Sequence, residues 1–182
     1  GLPVAHVQHH HAHVVSCMAE NGLSGPVLGV AFDGTGYGGD GTIWGGEFLL
    51  ADERTCKRAG HLPYIALPGG EAAMRETWRT ARSFLLRLLG QKRLDALRLG
   101  IWERVGVQRV EAVDRMLDAG INCPLSSGCG RLFDAVAAIA GLRLESLYEG
   151  QVAVELEACA MNCRPGKAIK YDYSVREEEN LF

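Results

Sequence analysis

The sequence predicts an α/β fold, a β-hairpin sheet with helices packed on it, and three observations carry that prediction. Two short β-rich runs, VLGVAF from Val27 and TIWGGEFLL from Thr42, crowd the first third of the chain. Stretches with apolar residues recurring at steps of three and four fill most of the rest. A last β-like run, Ile169, Tyr171 and Tyr173, stands just before the acidic EEE near the end, and no closing element follows it. Such an ending predicts a partial domain, the first portion of something longer. Residues 1–62 read as a sheet region and 63–182 as a mainly helical one, with no internal repeat and no low-complexity linker.

The elements follow in order. From His9 to Leu23, Ala12, Val15, Cys17, Met18 and Ala19 fit a short helix that Asn21 and Gly22 stop. VLGVAF is short enough for a buried strand; it ends at Asp33 and opens into DGTGYGGDG, and TIWGGEFLL returns. The expectation is a hairpin whose glycine-rich loop forms the tip, with a third strand from about Arg54 to Leu62. PGGEAAMRETWRTARSFLLRLLG then reads as one amphipathic helix carrying Met74, Trp78, Ala81, Leu85 and Leu88 and ending at Gly90. Val110, Val113 and Leu117 repeat the pattern from about Arg109 to Ala119. LFDAVAAIA, from Leu132 to Ala140, reads as a helix buried on most sides, and Val152 to Met161 as another.

Bulk properties narrow the function. With 182 residues, 47% of them hydrophobic, the chain has enough for one sizeable core. A net charge of −3 argues against a surface built to neutralise nucleic-acid phosphates. No apolar run approaches the ~20 residues that span a bilayer, and GLPVAHVQ has neither the basic nor the apolar segment of a secretory signal. The six cysteines are scattered and form no CxxC pair, which reads as small hydrophobes in a reduced, cytoplasmic compartment. Cys159 and Cys163 have a spacing that can face a metal on a helix, but the same plain reading covers them.

Five of the six histidines fall within HVQHHHAH, residues 6–13. On a helix, residues four apart stack with Cβ atoms about 5–6 Å apart, so His9 and His13 can converge on one cation as HExxH helices do. Imidazole suits Zn, Fe, Ni or Cu. His10 and His11 are expected to point elsewhere, and His6 to lie a turn before. A tag remnant would not run straight into an apolar helix pattern as this segment does. Asp33 is the nearest further ligand, its plainer alternative being an Asx-turn residue; the two roles are compatible. Together the three give a two-His-one-carboxylate set with positions open for substrate oxygens.

Two segments suggest anion binding. Gly34, Thr35, Gly36, Tyr37, Gly38, Gly39, Asp40 and Gly41 form a glycine-rich turn whose backbone N–H groups can approach phosphate closely. It is neither a Walker sequence nor a dinucleotide fingerprint, since GK[ST] is missing and a strand rather than a helix follows; a flexible hairpin turn is the plain alternative. In PLSSGCGRLFDAVAA, Ser126, Ser127 and Gly128 precede a helix start and Arg131 places a cation in its first turn. An ordinary serine N-cap is the alternative there. PGGEAAMRE has the same logic and less specificity.

VQHHHAH, FDGTGYGGDGTIWGGEFL, PGGEAAMRETWR, SSGCGRLFDAVAA and YEGQVAVELEA, taken in order from Val7 to Ala158, resemble the HypF carbamoyltransferases of nickel–iron hydrogenase maturation. The similar stretch is the first part of that family's C-terminal domain, itself similar to TsaD-type threonylcarbamoyl-transfer proteins and antibiotic O-carbamoyltransferases. The resemblance implies an actin-like ATPase lobe (ASKHA, ribonuclease H-like). It implies a divalent metal, Zn or Fe, on an HxxxH pair that maps to His9 and His13, with Asp33 contributing. It implies that Gly34 to Gly41 face the phosphates of ATP or carbamoyl-adenylate. The activity it implies is transfer of a carbamoyl group from carbamoyl-adenylate to the C-terminal cysteine of HypE, where the group becomes a cyanide ligand of iron. The nucleophile then belongs to the partner, and no catalytic residue is assigned here. The family's acylphosphatase-like, zinc-finger and adenylate-forming regions, its second lobe and a later metal-binding aspartate are not in these residues. The remaining HypF domains are therefore implied partners; this piece is expected to have an incomplete metal site and no full nucleotide cleft, and not to turn over alone. Thr77 stands where the family pattern has proline. Two other readings stay open: an O-carbamoyltransferase of the same superfamily acting on a small-molecule hydroxyl, and a non-catalytic metal-binding or docking module.

Overall fold

Gln8 opens the first helix, α1 (His9–Glu20): its side-chain oxygen accepts the His11 N–H at 2.8 Å. Asn21 and Gly22, the latter at φ +63°, stop it as expected. The computed structural model describes residues 2–162 and 171–177. The face that α1 buries is His10, Val14 and Met18, four apart; of the apolar set expected from sequence only Met18 is fully buried. The helix lies directly on the sheet, since a Cβ added at Gly29 would meet Val14 Cγ2 at 2.4 Å.

β1 (Val27–Tyr37) and β2 (Ile43–Ala51) form the antiparallel hairpin. The strand does not end at Asp33. Phe32 lies opposite Gly46, but Gly36 lies opposite Trp44, so Asp33, Gly34 and Thr35 together face Gly45 alone. This is a β-bulge, which bends the strand and re-aims side chains. Most of the glycine-rich stretch is therefore strand and bulge, and the turn itself is residues 38–42. β3 (Cys56–His61) adds to the far edge of β2, as expected. The sheet also reaches past residue 62: β5 (Leu125–Ser126) pairs parallel with β2 at Ile43, and β4 (Ile65–Ala66) pairs antiparallel with β5.

The helix expected to end at Gly90 is broken into α2 (Glu71–Arg75) and α3 (Thr77–Leu89) at Glu76, whose ψ of 81° leaves the helical region; Gly90, at φ +71°, does end it. Leu88 is 71% exposed rather than buried. α4 (Gln91–Ala96) and α5 (Ile101–Val105) follow, neither expected, then α6 (Val107–Ala119), which buries Val110 and Val113. α7 (Cys129–Ile139) starts earlier than expected and turns its small face inward. Ala135 and Ala138 pack against Ala81 of α3, while Leu132, Phe133, Val136 and Ile139 are about 40% exposed. Small side chains at a helix contact let the two backbones approach, which moves the larger apolar residues to the other side. α8 (Gln151–Met161) matches its expected span. Ile169 and Cys163 lie outside the described residues, and Tyr171 and Tyr173 are in no strand.

The core under α1 is Val14, Met18, Trp44, Leu49 and Ala51, and a second cluster joins Trp78 to Val105, Val110 and Val113. On the opposite face of the hairpin Leu28, Val30, Phe32 and Leu50 are more than half exposed. Among the described residues no helix is long and apolar enough to cross a membrane.

Candidate metal centre

The stripe of α1 next to the buried one carries His9 and His13, at the rim of the sheet above the β1 bulge. The bulge turns Asp33 toward them. His9 Nε2 lies 3.0 Å from Asp33 Oδ2 and 3.1 Å from His13 Nε2, and His13 Nε2 is 3.7 Å from the same oxygen. The three ligand atoms thus lie within 4.8 Å of one another. With metal–ligand bonds of about 2.1 Å, two ligands stand roughly 3.0 Å apart at a right angle and roughly 3.4 Å apart in a tetrahedron. The observed edges bracket those values, so a single divalent ion fits the donor set. Imidazole donors of this kind suit Zn, Fe, Ni or Cu.

Burial works to raise the Asp33 pKa, but the Gly34 N–H and the His9 ring outweigh it and hold the carboxyl below its usual range. Gly34 N–H donates to Asp33 Oδ1 at 2.6 Å, so one oxygen is tied to the backbone and the other faces the imidazoles. His10 departs from expectation. It is fully buried, and its Nε2 points into the site, 3.7 Å from Asp33 Oδ2. Desolvation lowers its pKa, against the opposing charge of Glu47. His11 does point elsewhere, its Nε2 lying 2.7 Å from the Asp52 carbonyl, and His6 is exposed.

The glycines act largely through what they let approach. A Cβ at Gly36 would stand 2.5 Å from His10 Cε1 and 2.9 Å from His9 Cδ2, and one at Gly38 would overlap the Trp44 ring at 2.3 Å. Gly39 has nothing near it. The N–H groups of Gly38 and Gly41 donate within the turn, to Thr42 O and Gly38 O. Thr35 and Tyr37 are exposed. Asp40 accepts from Thr42, Trp44, Tyr64 and Arg58. Although burial opposes it, those bonds hold its carboxyl far below the usual range.

Arg58 and Glu47, both buried, lie behind this turn. Arg58 Nε donates to Glu47 Oε2 at 2.6 Å, and its NH groups reach Asp40, Tyr64 and Ser127. Its guanidinium lies 4.0 Å over the Trp44 ring. Glu47 also accepts from Gly45 N–H, Gly46 N–H and the Ser127 hydroxyl. Desolvation raises its pKa, yet Arg58 and Ser127 more than offset this. The network pins the turn to β3 and to the start of α7. Sequence reading missed Glu47, Arg58 and Tyr64. One signal existed: Glu47 shares strand parity with Leu49 and Ala51, and a carboxylate on a buried face requires partners.

The second anion segment adjoins the bulge. Ser126 Oγ accepts the Gly128 N–H at 3.0 Å, and Ser127 Oγ donates to Glu47. A Cβ at Gly128 would meet Gly34 O at 2.5 Å, and one at Gly130 would meet Gly34 Cα at 2.8 Å, so the start of α7 rests on the bulge backbone to backbone. Arg131 Nε and Asp134 Oδ2 form an ion pair at 2.9 Å. Burial dominates at Asp134, whose pKa is pushed up to about 6 despite the Arg131 charge.

Comparison with known proteins gives one consistent answer. The family described as "Carbamoyltransferase, Kae1-like Domain, second subdomain" matches residues 29–182. The HypF carbamoyltransferase of Rhizobium leguminosarum bv. viciae is 46% identical over 174 residues, which cover 96% of this chain and 22% of that protein. A crystal structure of full-length HypF in a phosphate- and nucleotide-bound form superimposes with a TM-score of 0.85 at 41% identity, over 97% of this chain and 26% of that one. The crystal structure of T. kodakarensis HypF gives 0.83 at 31% identity, over 96% of this chain and 23% of that one. The chain thus spans about a fifth to a quarter of the length of these relatives.

Proposed function

This chain belongs to the HypF carbamoyltransferase family, and on that premise we propose that it supplies the metal- and phosphate-facing part of a carbamoyl-transfer site. The full site would move a carbamoyl group from carbamoyl-adenylate to the C-terminal cysteine of HypE, in the synthesis of the cyanide ligands of nickel–iron hydrogenase. The observation that carries the reading is the convergence of His9, His13 and Asp33 on one point beside the glycine bulge. A full-length relative, of which this chain matches 26%, is known in a phosphate- and nucleotide-bound form.

His9, His13 and Asp33 would hold a divalent ion, Zn or Fe, which when bound supplies Lewis acidity and positive charge for carbamoyl and phosphate oxygens. The chain's own residues do the rest of the positioning. The start of α7 has N–H groups without intrahelical acceptors and the positive end of a helix dipole, and it rests on Gly34. Arg131, paired with Asp134, adds a cation on that side. Ser126 and the Arg58–Glu47 network hold this frame rigid, and so do Asp40 and Ser127, which are engaged within it. In the transfer, the partner's thiolate sulfur bonds to the carbamoyl carbon, the bond from that carbon to the phosphate oxygen breaks, and AMP leaves with the negative charge. The acceptor cysteine enters as the thiolate, its proton released to solvent beforehand, and donors fixed around the phosphate stabilise the leaving group.

The test is transfer of labelled carbamoyl from pre-formed carbamoyl-adenylate, in the full-length protein carrying these residues. The acceptors are HypE, HypE lacking its terminal cysteine, and small-molecule alcohols. The reading predicts labelled HypE only when the cysteine is present, and loss of transfer with Asp33→Asn. Labelling of an alcohol instead would favour the small-molecule O-carbamoyltransferase.

A further inference from the structure

We infer that His10 is a positioning residue for this centre, fixed as the Nε2–H tautomer so that it donates that proton to Asp33 and holds the carboxylate for the cation. The inference rests on the metal reading above and assigns a fourth side chain to the site.

Gln8 decides the tautomer. Its amide cannot be turned over, because both ends meet backbone groups of fixed polarity: the oxygen accepts the His11 N–H at 2.8 Å, and the nitrogen donates to the Tyr37 carbonyl at 3.1 Å. The same NH₂ lies 3.2 Å from His10 Nδ1. Two N–H groups do not bond to one another, so Nδ1 presents its lone pair. A neutral imidazole with a bare Nδ1 carries its proton on Nε2.

The seat of the ring decides where that proton points. His10 is fully buried, stacked 6.3 Å from the Trp44 ring at an interplanar angle of 26° and lying against Gly36, which has no side chain to displace it. Among the described residues its Nε2 has no hydrogen-bond partner, although an inaccessible donor ordinarily has one. Asp33 Oδ2 lies 3.7 Å away, so an approach of roughly 0.8 Å makes a normal bond. Oδ1 is already held by Gly34 N–H, so this second donor would complete the fixing of the carboxylate plane. Protonated Nε2 cannot ligate a metal. The three neighbouring imidazoles are thereby sorted: His9 and His13 offer lone pairs to the ion, and His10 a proton to their carboxylate partner. Outer partners of this type commonly change metal affinity by roughly 10- to 100-fold.

Two measurements on the full chain test the inference. Nitrogen-15 NMR of labelled histidine is expected to show His10 with a bare Nδ1 and a protonated Nε2. Zinc affinity, from competition with a chromophoric chelator, is compared for the wild type, His10→Phe and His10→Gln. Phenylalanine fills the slot without a donor, and glutamine returns an N–H near the Nε2 position. The expected result is roughly 10- to 100-fold weaker binding with His10→Phe and near wild-type binding with His10→Gln, while metal-free thermal unfolding shows both variants folded. A proton on Nδ1, wild-type affinity in His10→Phe, or equal weakening in both variants overturns the inference and leaves the metal reading standing. No zinc binding by the wild-type chain overturns both.

Discussion

Replacing Gly36 by alanine separates a glycine that admits the histidines from a glycine that merely bends a loop. The new Cβ would stand 2.5 Å from His10 Cε1 and 3.0 Å from His10 Nε2. Optimal carbon contacts lie at about 3.5–4.0 Å, so something must move by roughly 1 Å. The ring has little room, since it is fully buried and backed by Trp44. Overpacking of this kind costs about 1–3 kcal/mol. His9 Cδ2, 2.9 Å from the same Cβ, is pushed as well, and metal sites tolerate only about 0.2 Å in ligand distance. Gly39→Ala is the control, with open space and no left-handed φ; exposed changes away from such features stay within about 0.5 kcal/mol. The assay is urea unfolding together with zinc competition on both variants. Gly36→Ala is expected to lose stability and to bind zinc more weakly, and Gly39→Ala to match wild type. Equal behaviour of the two would refute the reasoning that the bulge glycines exist to seat the imidazoles.

Arg58→Ala strands the fully buried Glu47 carboxylate and is expected to cost about 3–5 kcal/mol in a denaturant titration; a change below 1 kcal/mol would sink the network's assigned role. Asp134 binds its proton more tightly when folded, at about 6 against an ordinary 3.8. Its contribution therefore falls as pH rises from about 4 to 6, by at most about 3 kcal/mol. Asp134→Asn should flatten that slope in unfolding curves taken across the window, and an unchanged slope would contradict it. Glu47 acts with the opposite sign: its folded pKa lies below the ordinary 4.5, so its stabilisation is complete above that pH and lost on acidification through the folded value. In Glu47→Gln, unfolding curves should lose that acid-side component.

The parts legible in the sequence were those that local chemistry dictates. Asn21 and Gly22 stopped α1, Gly90 stopped α3, and the hairpin strands declared themselves by β-rich composition. His9 and His13 were singled out by their i, i+4 spacing and Asp33 by an expected strand end; the structure brings the three together, although the strand runs on through Asp33 as a bulge. What remained hidden depends on contacts distant in sequence. The bulge at Asp33 arises from a register shift between two strands that no single segment reveals. The inward turn of α7's alanines was set by how closely α3 approaches. β4 and β5, two residues each, exist only because β2 offers an edge. His10 escaped because helical spacing sets it on a different stripe from His9, while the missing side chain at Gly36 lets its ring extend beneath Asp33.

Metal stoichiometry tests the central claim most directly. After dialysis against zinc and removal of excess, elemental analysis of the full-length protein carrying these residues should give about one ion more than its His9→Ala/His13→Ala variant, with both folded by circular dichroism. An ion retained at the same stoichiometry by the double variant would place the metal elsewhere and contradict the assignment of His9, His13 and Asp33.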